Sequence, residues 1–411
     1  MDIRIFPPDE ILETSIDLPL SKSISARALI INHIGHFDTH VKLSDCSDIN
    51  VLTKALETDR TEVNVSDSGT AMRFLIALFA ATSGKEVVID GTARLRERPI
   101  APLVNALREL GAHIEYVETE NRLPIRIKGA VLKGGSVQID ASVSSQFVSA
   151  LMLITPLMEN PLRLILEGSP VSLPYIKMTA SLMTMAGVEP DFTPDGVYIP
   201  NTMYKATIEI IERDWSSASF WYAIAAMSAG WVTLNNISIS KLQGDAFISQ
   251  VGEQFGVITN MSDDVEGAIE LSASPEQFSR LDFDMSGYPD LIPPLVVTAA
   301  ALGIPFRFSG VKNLKYKESD RIEVLRTECL KLGWIISLEN NEDVIYWDGE
   351  HVPIKEMPVI DPHGDHRIAM SFAPLTLFLP GIVIKDAEVV GKSYPDYWTH
   401  LQQTGFTIEE I

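Results

Sequence analysis

PLVNALRELGAHIEYV, residues 102–117, reads as an amphipathic helix that stops at Gly111 and runs into a strand. Glycine there suits the left-handed residue that follows a helix. Four more stretches have this form: IKMTASLMTMAGVEPDF at Gly187, FISQVGEQFGVITN at Gly256, IEVLRTECLKLGWIISL at Gly333 and WTHLQQTGFTIEEI at Gly405. The five glycines stand 76, 69, 77 and 72 residues apart, so the chain repeats itself. A second helix series interleaves with the first. Its starts are rich in Ser, Asp, Thr or Gly: Ser21 to Ser23, Asp67 to Thr70, Ser142 to Ser145, Asp214 to Ser219, Ser286 to Asp290 and Gly364 to His366. From Ser23 through Ser68, Ser144, Ser216, Asp290 and His366 the intervals are 45, 76, 72, 74 and 76 residues, which makes six units. The first interval is short by roughly 30 residues, so a helix–strand piece is expected to be missing between Glu57 and Ser66. Short β-like runs lie between the helices at 86–91, 162–168, 232–239 and 306–311. Two helices and a few strands per unit predict an α/β fold of helices on sheets, with three units in each of two similar domains. A helix N-terminus offers free N–H groups and partial positive charge, so several aimed at one place would suit phosphate or carboxylate. For any single helix, Ser or Asp is simply a good cap.

The totals narrow the field. The chain has 411 residues, 46% hydrophobic and 21% charged, which suits two globular domains and not a disordered protein. The start, MDIRIFPPDE, has no basic region before an apolar run, so no signal peptide is expected. The most apolar stretch, 291–306, is broken by Pro293, Pro294 and Pro305, and reads as core, not a membrane span. Cys46 and Cys329 have no metal-ligand spacing and read as reduced structural thiols of a cytoplasmic protein. Net charge is −22 with no basic stripe, which excludes a nucleic-acid binder. So acidic a chain repels anions at long range, and an anion site needs a local cationic cluster.

Seven segments offer candidates for that cluster. PLSKSISARALI (19–30) sets Lys22 and Ser23 at a helix start, with Arg27 on the same face as Ser23. SDSGTAMRFL (66–75) has Gly69 where backbone approaches something closely, and Arg73 expected to reach solvent. ARLRERPIAPL (93–103) alternates Arg94, Arg96 and Arg98 before Pro99 opens a helix; Arg94 and Arg96 also fit a charged edge strand. SVSSQF (142–147) presents Ser144, Ser145 and Gln146, although one residue suffices for a cap. In NLKYKESDRIEVL (313–325), Asp320 and Glu323 read as cap and partner. Arg321 then stands in a first turn that disfavours cations, which an anionic ligand would explain. His366 and Arg367 of DPHGDHRIAMSFAPL (361–375) pose the same problem, and VVGKSYPDYW (389–398) adds Lys392 in a loop.

In this order and nearly this spacing, the KSxSxR, GTAMR, RERPI, SSQ, KESDR, DHRxAM and KSYPDY elements closely resemble the EPSP synthase family (3-phosphoshikimate 1-carboxyvinyltransferase) over almost the whole chain. The resemblance implies a two-domain inside-out α/β barrel built from six βαβαββ-type repeats, one of them shortened. It implies a discontinuous domain of residues 1–19 plus 214–411 and an inserted domain of 20–213 that holds the truncated repeat. It implies transfer of the enolpyruvyl group of phosphoenolpyruvate to the 5-hydroxyl of shikimate 3-phosphate, with release of phosphate, in aromatic amino acid biosynthesis. No cofactor or metal is implied; the partners are the two substrates, and a cytoplasmic monomer is expected. By resemblance, shikimate 3-phosphate falls to Lys22, Ser23, Arg27, Ser144, Ser145, Ser172, Asp290, Asn313 and Lys317. Phosphoenolpyruvate falls to Lys22, Gly69, Arg98, Gln146, Arg321, Arg367 and Lys392; a guanidinium fork matches carboxylate and phosphate oxygens two at a time. Asp290 matches the proton acceptor for the hydroxyl and Glu318 the proton donor, with Lys22 also placed for proton transfer. Asp290 after Pro289 also reads as a helix cap. Because cationic residues come from both halves, the domains are expected to close on their ligands.

The chain departs from the family at Asp67, Ser68 and Phe74, where NAGTAMRP is usual, which leaves sensitivity to glyphosate open. Leu20 replaces a glycine and Ala26 an asparagine. Two alternatives remain at this point. One is the sister family acting on UDP-N-acetylglucosamine, which carries a reactive cysteine in a mobile loop. The other is a catalytically silent homologue that only binds metabolites.

Overall fold

The computed structural model describes residues 1–411 apart from 39, 169, 275–278 and 355. It divides into two compact units, Met1–Leu20 with Glu212–Ile411, and Ser21–Ile211. The chain opens with β1 (Ile3–Phe6) and β2 (Leu12–Asp17) of the discontinuous unit, then passes to the continuous one. That unit holds α1 (Lys22–Ile34), α2 (Ser47–Leu56), β3 (Glu62–Asn64), α3 (Gly69–Ala81), β4 (Glu86–Asp90), α4 (Ala93–Glu97), α5 (Ala101–Glu109), β5 (His113–Tyr116) and β6 (Ile125–Lys128). It continues with β7 (Gly135–Asp140), α6 (Ser145–Ile154), β8 (Leu162–Glu167), α7 (Leu173–Met185), β9 (Asp191–Thr193) and β10 (Gly196–Ile199). The discontinuous unit resumes with α8 (Trp215–Met227), β11 (Gly230–Asn235), α9 (Ile248–Gln254), β12 (Val257–Met261) and β13 (Ile269–Ala273). Next come β14 (Leu281–Asp284), α10 (Ile292–Ala301), β15 (Phe306–Ser309), α11 (Arg321–Lys331), β16 (Ser337–Glu339) and β17 (Val344–Trp347). The last repeat has β18 (Val359–Ile360), α12 (His366–Phe372), β19 (Ile382–Ile384), α13 (Tyr397–Gln403) and β20 (Thr407–Glu410).

One connectivity recurs. In a full repeat, the first strand is parallel to the second, the fourth is antiparallel to the second, and the third lies outside the fourth. The sheets are β3-β4-β6-β5 and β7-β8-β10-β9 in one unit, and β2-β11-β13-β12, β14-β15-β17-β16 and β18-β19-β1-β20 in the other. The last of these closes on the N-terminal strand: β1 pairs antiparallel with both β19 and β20. All five helix-ending glycines have positive φ, between 79 and 104°. The helices lie inside and the sheets outside. Every residue of α3 except Thr70 is buried, as is all of α12, whereas β6 alternates buried and exposed. Among the described residues the five sheets stay separate and four-stranded, so the helices are enclosed without a continuous ring of strands.

The shortened repeat is the one that begins with α1. Only residues 57–61 separate α2 from β3, where α5 is followed by the β5–β6 hairpin. The missing piece is therefore strand alone, and the expectation that a helix went with it is corrected by α2 itself. Its end escaped the glycine pattern because Glu57, not glycine, follows it. The RLRERP segment also differs from expectation. Arg94 and Arg96 lie on α4, not on an edge strand. The Thr92 hydroxyl caps that turn by accepting from Leu95 N at 3.3 Å, and Arg96 Nε donates to Asp90 Oδ1 of β4 at 2.8 Å. The following helix opens at Ala101 with Pro102, not Pro99, in its first turn. No helix among the described residues is long and apolar enough to cross a membrane.

Candidate active site

Five of the six second-series helices begin on a Ser or Asp whose side chain accepts an early N–H. The caps are Ser21, Ser68, Ser144, Asp214 and Asp365. Such caps satisfy one of the orphan donors and leave others at the helix mouth. α10 is the exception. Its cap position is Leu291, and Asp290, expected as a cap, turns its carboxylate to arginines instead.

In the unit Ser21–Ile211, α1 carries Lys22, Ser23 and Arg27. Lys22 Nζ lies 3.2 Å from Asp48 Oδ2, a buried carboxylate on α2. Arg27 is 2% exposed, and its bonds all end on neutral oxygens. Nε donates to Thr179 Oγ1 at 2.7 Å, Nη1 to Ser23 O at 2.8 Å, and Nη2 to Ser149 Oγ and Tyr175 O at 3.3 Å each. Burial pushes its pKa down to about 10. A buried cation resting on neutral dipoles lacks compensation that an anion would supply. A second cluster surrounds Gly69. A Cβ there would stand 2.5 Å from Arg98 Nη1 and 2.7 Å from Arg73 Nη1, so two guanidiniums flank the first residue of α3. Arg73, expected to reach solvent, is 2% exposed. Its Nη1 donates to Gln146 Oε1 at 2.7 Å, and Gln146 Nε2 donates to Thr70 Oγ1 at 3.0 Å. Ser144 and Ser145 open the same helix as Gln146. Ser172, 4% exposed, precedes α7 with φ 56°, a left-handed conformation that costs a non-glycine residue about 1 kcal/mol or more.

In the other unit, Asp290, Lys317, Glu318, Arg321, Asp365 and Arg367 form one connected cluster. Arg321 donates from Nε to Asp365 Oδ2 at 2.7 Å, from Nη1 to Asp290 Oδ1 at 2.9 Å, and from Nη2 to Glu318 Oε2 at 2.9 Å. Arg367 Nη2 donates to Asp290 Oδ2 at 2.9 Å, and Lys317 Nζ stands 4.0 Å from Asp290 Oδ1. Burial opposes ionisation of Asp290, but Arg367, Lys317 and Arg321 outweigh it and hold the carboxyl well below the usual range; Glu318 acts against them. Burial likewise pulls Arg321 down, and Asp365, Glu318 and Asp290 more than reverse it. The cations that seemed out of place at helix starts are thus matched by protein carboxylates. Asp365 caps α12 by accepting Arg367 N at 3.0 Å and pairs with Arg321, while the Arg367 guanidinium pairs with Asp290. Lys392, 5% exposed, ends the turn Ala387–Lys392, which packs against α12. Asn313 is buried in the turn Lys312–Tyr316 before α11, and its Oδ1 accepts no hydrogen bond.

Asp365, Asp48, Ser149 and Thr179 were not singled out in the sequence, and Arg73 only as a group reaching solvent. Asp365 alone carried a signal, since two cations opening a helix require a nearby anion. Together the repeat fold and the three arginine clusters define an α/β protein built to handle anions.

A sequence model of EPSP synthase (3-phosphoshikimate 1-carboxyvinyltransferase) matches residues 17–401. The 3-phosphoshikimate 1-carboxyvinyltransferase of Bacteroides fragilis (strain YCH46) is 44% identical over 401 residues, covering 97% of each chain. Its counterpart in Methanospirillum hungatei JF-1 is 36% identical over 349 residues, covering 83% of this chain and 79% of the relative. Among solved structures, EPSP synthase from Acinetobacter baumannii has the same fold, with a TM-score of 0.76 at 21% identity and 100% of each chain covered. The chain belongs to the EPSP synthase family.

Proposed function

We propose that the three clusters serve one reaction, transfer of the enolpyruvyl group from phosphoenolpyruvate to the 5-hydroxyl of shikimate 3-phosphate. The observation that carries the reading is Asp290, an ionised carboxylate fixed between Arg321 and Arg367 with Glu318 on the same arginine. Glu318, ionised against Arg321 in the free protein, takes up a proton as an anion on Arg321 loosens that pair, and gives it to the methylene carbon of phosphoenolpyruvate. Asp290 takes the hydroxyl proton as that oxygen bonds to the central carbon, which gives a tetrahedral intermediate. The carbon–phosphate oxygen bond then breaks as the Glu318 carboxylate takes a proton back from the methyl group; the leaving phosphate takes the proton held by Asp290, and the enol ether remains.

Lys22 Nζ serves proton transfer and both substrates. Arg27, Ser23, Ser144, Ser145 and Ser172, with Asn313 and Lys317, take shikimate 3-phosphate. Arg98, Gly69 and Gln146, with Arg321, Arg367 and Lys392, take phosphoenolpyruvate. Salt-bridged as it is, Asp290 is a weak base. An anion on Arg321 and Arg367 would give them a second negative partner, loosen their hold on Asp290 and raise its basicity.

The sister activity on UDP-N-acetylglucosamine is the weaker reading, because burial raises the thiol pKa of both Cys46 and Cys329 and suits neither to reactive chemistry. The same proposal expects a cytoplasmic monomer, the latter to be checked by light scattering. The test of function is phosphate release by purified protein given both substrates. Release with UDP-N-acetylglucosamine in place of shikimate 3-phosphate, or no release at all, would refute the reading.

A further inference from the structure

We propose that Glu328 is a positioning residue for phosphoenolpyruvate binding, acting through the segment that presents Asp365 and Arg367; this rests on the reaction assigned above. Glu328 lies on α11 seven residues after Arg321, so the two share a helix face about 10.5 Å apart. Its side chain is fully buried, an uncommon state for a carboxylate. Oε2 accepts Asp361 N at 3.0 Å and Lys331 Nζ at 2.6 Å, and Oε1 lies 3.5 Å from His363 Nε2. Two turns back, Arg321 binds Asp365. The segment 361–365 is therefore fastened to α11 at both ends, at its first residue by Glu328 and at its last by Arg321.

The ends have lesser contacts as well, Lys385 Nζ 3.8 Å from Asp361 Oδ2 and Ser319 Oγ donating to Asp365 Oδ2 at 3.3 Å, and between them the segment rests on local bonds. Asp361 Oδ1 accepts His363 N at 2.9 Å, and Pro362 O accepts Asp365 N at 2.9 Å. His363 and Gly364 stand consecutively in left-handed conformations, φ 50° and 73°. Such a coil has its own local bonds, and the sheet reaches only as far as Ile360 of β18, which pairs with Ile384. If the Glu328 clamp is released, the cap Asp365 and the first turn of α12 lose the fixed point that ties Asp361 to α11. Arg367 then loses alignment with its anion, where a shift of about 1 Å suffices to lower binding tenfold or more. Of the groups proposed for shikimate 3-phosphate, Arg27 and the serines lie in the other unit, and Asn313 and Lys317 precede α11, so its binding is spared.

Two substitutions separate reach from charge. Glu328→Asp keeps the charge but withdraws it by about 1.5 Å, one carbon–carbon bond, and loses Asp361 N. Glu328→Gln keeps an oxygen of the right reach without the charge. We expect Glu328→Asp to raise KM for phosphoenolpyruvate at least fivefold with KM for shikimate 3-phosphate unchanged, and Glu328→Gln to stay within twofold of wild type on both. Thermal melting is run on each. A Glu328→Asp protein with a lowered Tm but unchanged KM for phosphoenolpyruvate would reduce Glu328 to a structural group and overturn the proposal. So would a Gln variant as impaired as the Asp variant. Wild-type protein that releases no phosphate from the two substrates would instead refute the assigned reaction.

Discussion

Gly69→Ala is the sharpest single test of the cluster that opens α3. The new methyl would meet Arg98 Nη1 at 2.5 Å, Arg98 Cζ at 2.8 Å and Arg73 Nη1 at 2.7 Å. Ordinary contact begins near 3.4 Å, so each guanidinium must retreat by about 0.7 to 0.9 Å. Arg73 is poorly placed to yield. It is buried, bonded to Gln146 and Gly69 O, and stands over the Phe147 ring at 5.3 Å. Arg98 must take most of the displacement. A charge-assisted hydrogen bond contributes about 1.5–3 kcal/mol, so a misaligned fork should raise KM for phosphoenolpyruvate roughly 10- to 100-fold. KM for shikimate 3-phosphate should change less than twofold, because Arg27 and its partners Thr179 and Ser149 are not displaced. Steady-state phosphate release with each substrate varied in turn measures both, and overpacking should lower stability by about 1–3 kcal/mol. An unchanged KM for phosphoenolpyruvate in a folded variant would show that the arginines at Gly69 do not contact that substrate.

Asp290→Asn removes the proton acceptor and one counter-charge of Arg321 and Arg367; kcat should fall about 10²- to 10⁴-fold, while phosphoenolpyruvate binding, followed by calorimetry, should hold or tighten. Weaker binding would mean that Asp290 orients the arginines and is not the base. Arg27→Met should abolish tight binding of shikimate 3-phosphate yet leave Tm unchanged or raised, because the guanidinium is buried without a carboxylate; a large fall in Tm would contradict that account. His400, half-buried with Nδ1 2.7 Å from the Tyr394 hydroxyl, has its pKa lowered by burial against the pull of Asp396 and Asp17, with Arg213 adding to the lowering. The unfolded chain therefore binds that proton more readily. Stability should be full above about pH 6.5 and decline below it, and His400→Gln should flatten the decline in melts between pH 7 and 5.

The periodic part of the fold was legible because it rests on local rules. Glycine after a helix and Ser or Asp before one are fixed by backbone sterics and orphan N–H groups, and the spacing of 69 to 77 residues follows from them. What escaped were choices settled by tertiary partners. Arg94 and Arg96 alternate like strand residues, but Asp90 of β4 and the Thr92 cap draw them into a helical turn. Arg73 looks like a surface arginine beside small apolar residues, but Gln146 and the Phe147 ring, more than 70 positions later, receive it in the interior. Asp290 has the sequence of a cap, but arginines 31 and 77 residues further on take its carboxylate. Motif order could indicate the site residues; only coordinates showed which carboxylate answers which arginine.

That pairing separates two kinds of buried arginine. Arg27 rests on hydroxyls and carbonyls, and burial has lowered its pKa; a phosphate arriving there adds a charge partner where none existed. Arg321 is already compensated by Asp290, Glu318 and Asp365, and an anion arriving there must compete with carboxylates. Binding at the first is therefore simple gain. Binding at the second is an exchange whose by-product is a looser and more basic Asp290. A base left unconstrained would be ionised and reactive at all times. In the proposed reaction those same arginines take the second substrate, so the strength of Asp290 would depend on that substrate's presence and proton abstraction would wait until both anions are bound.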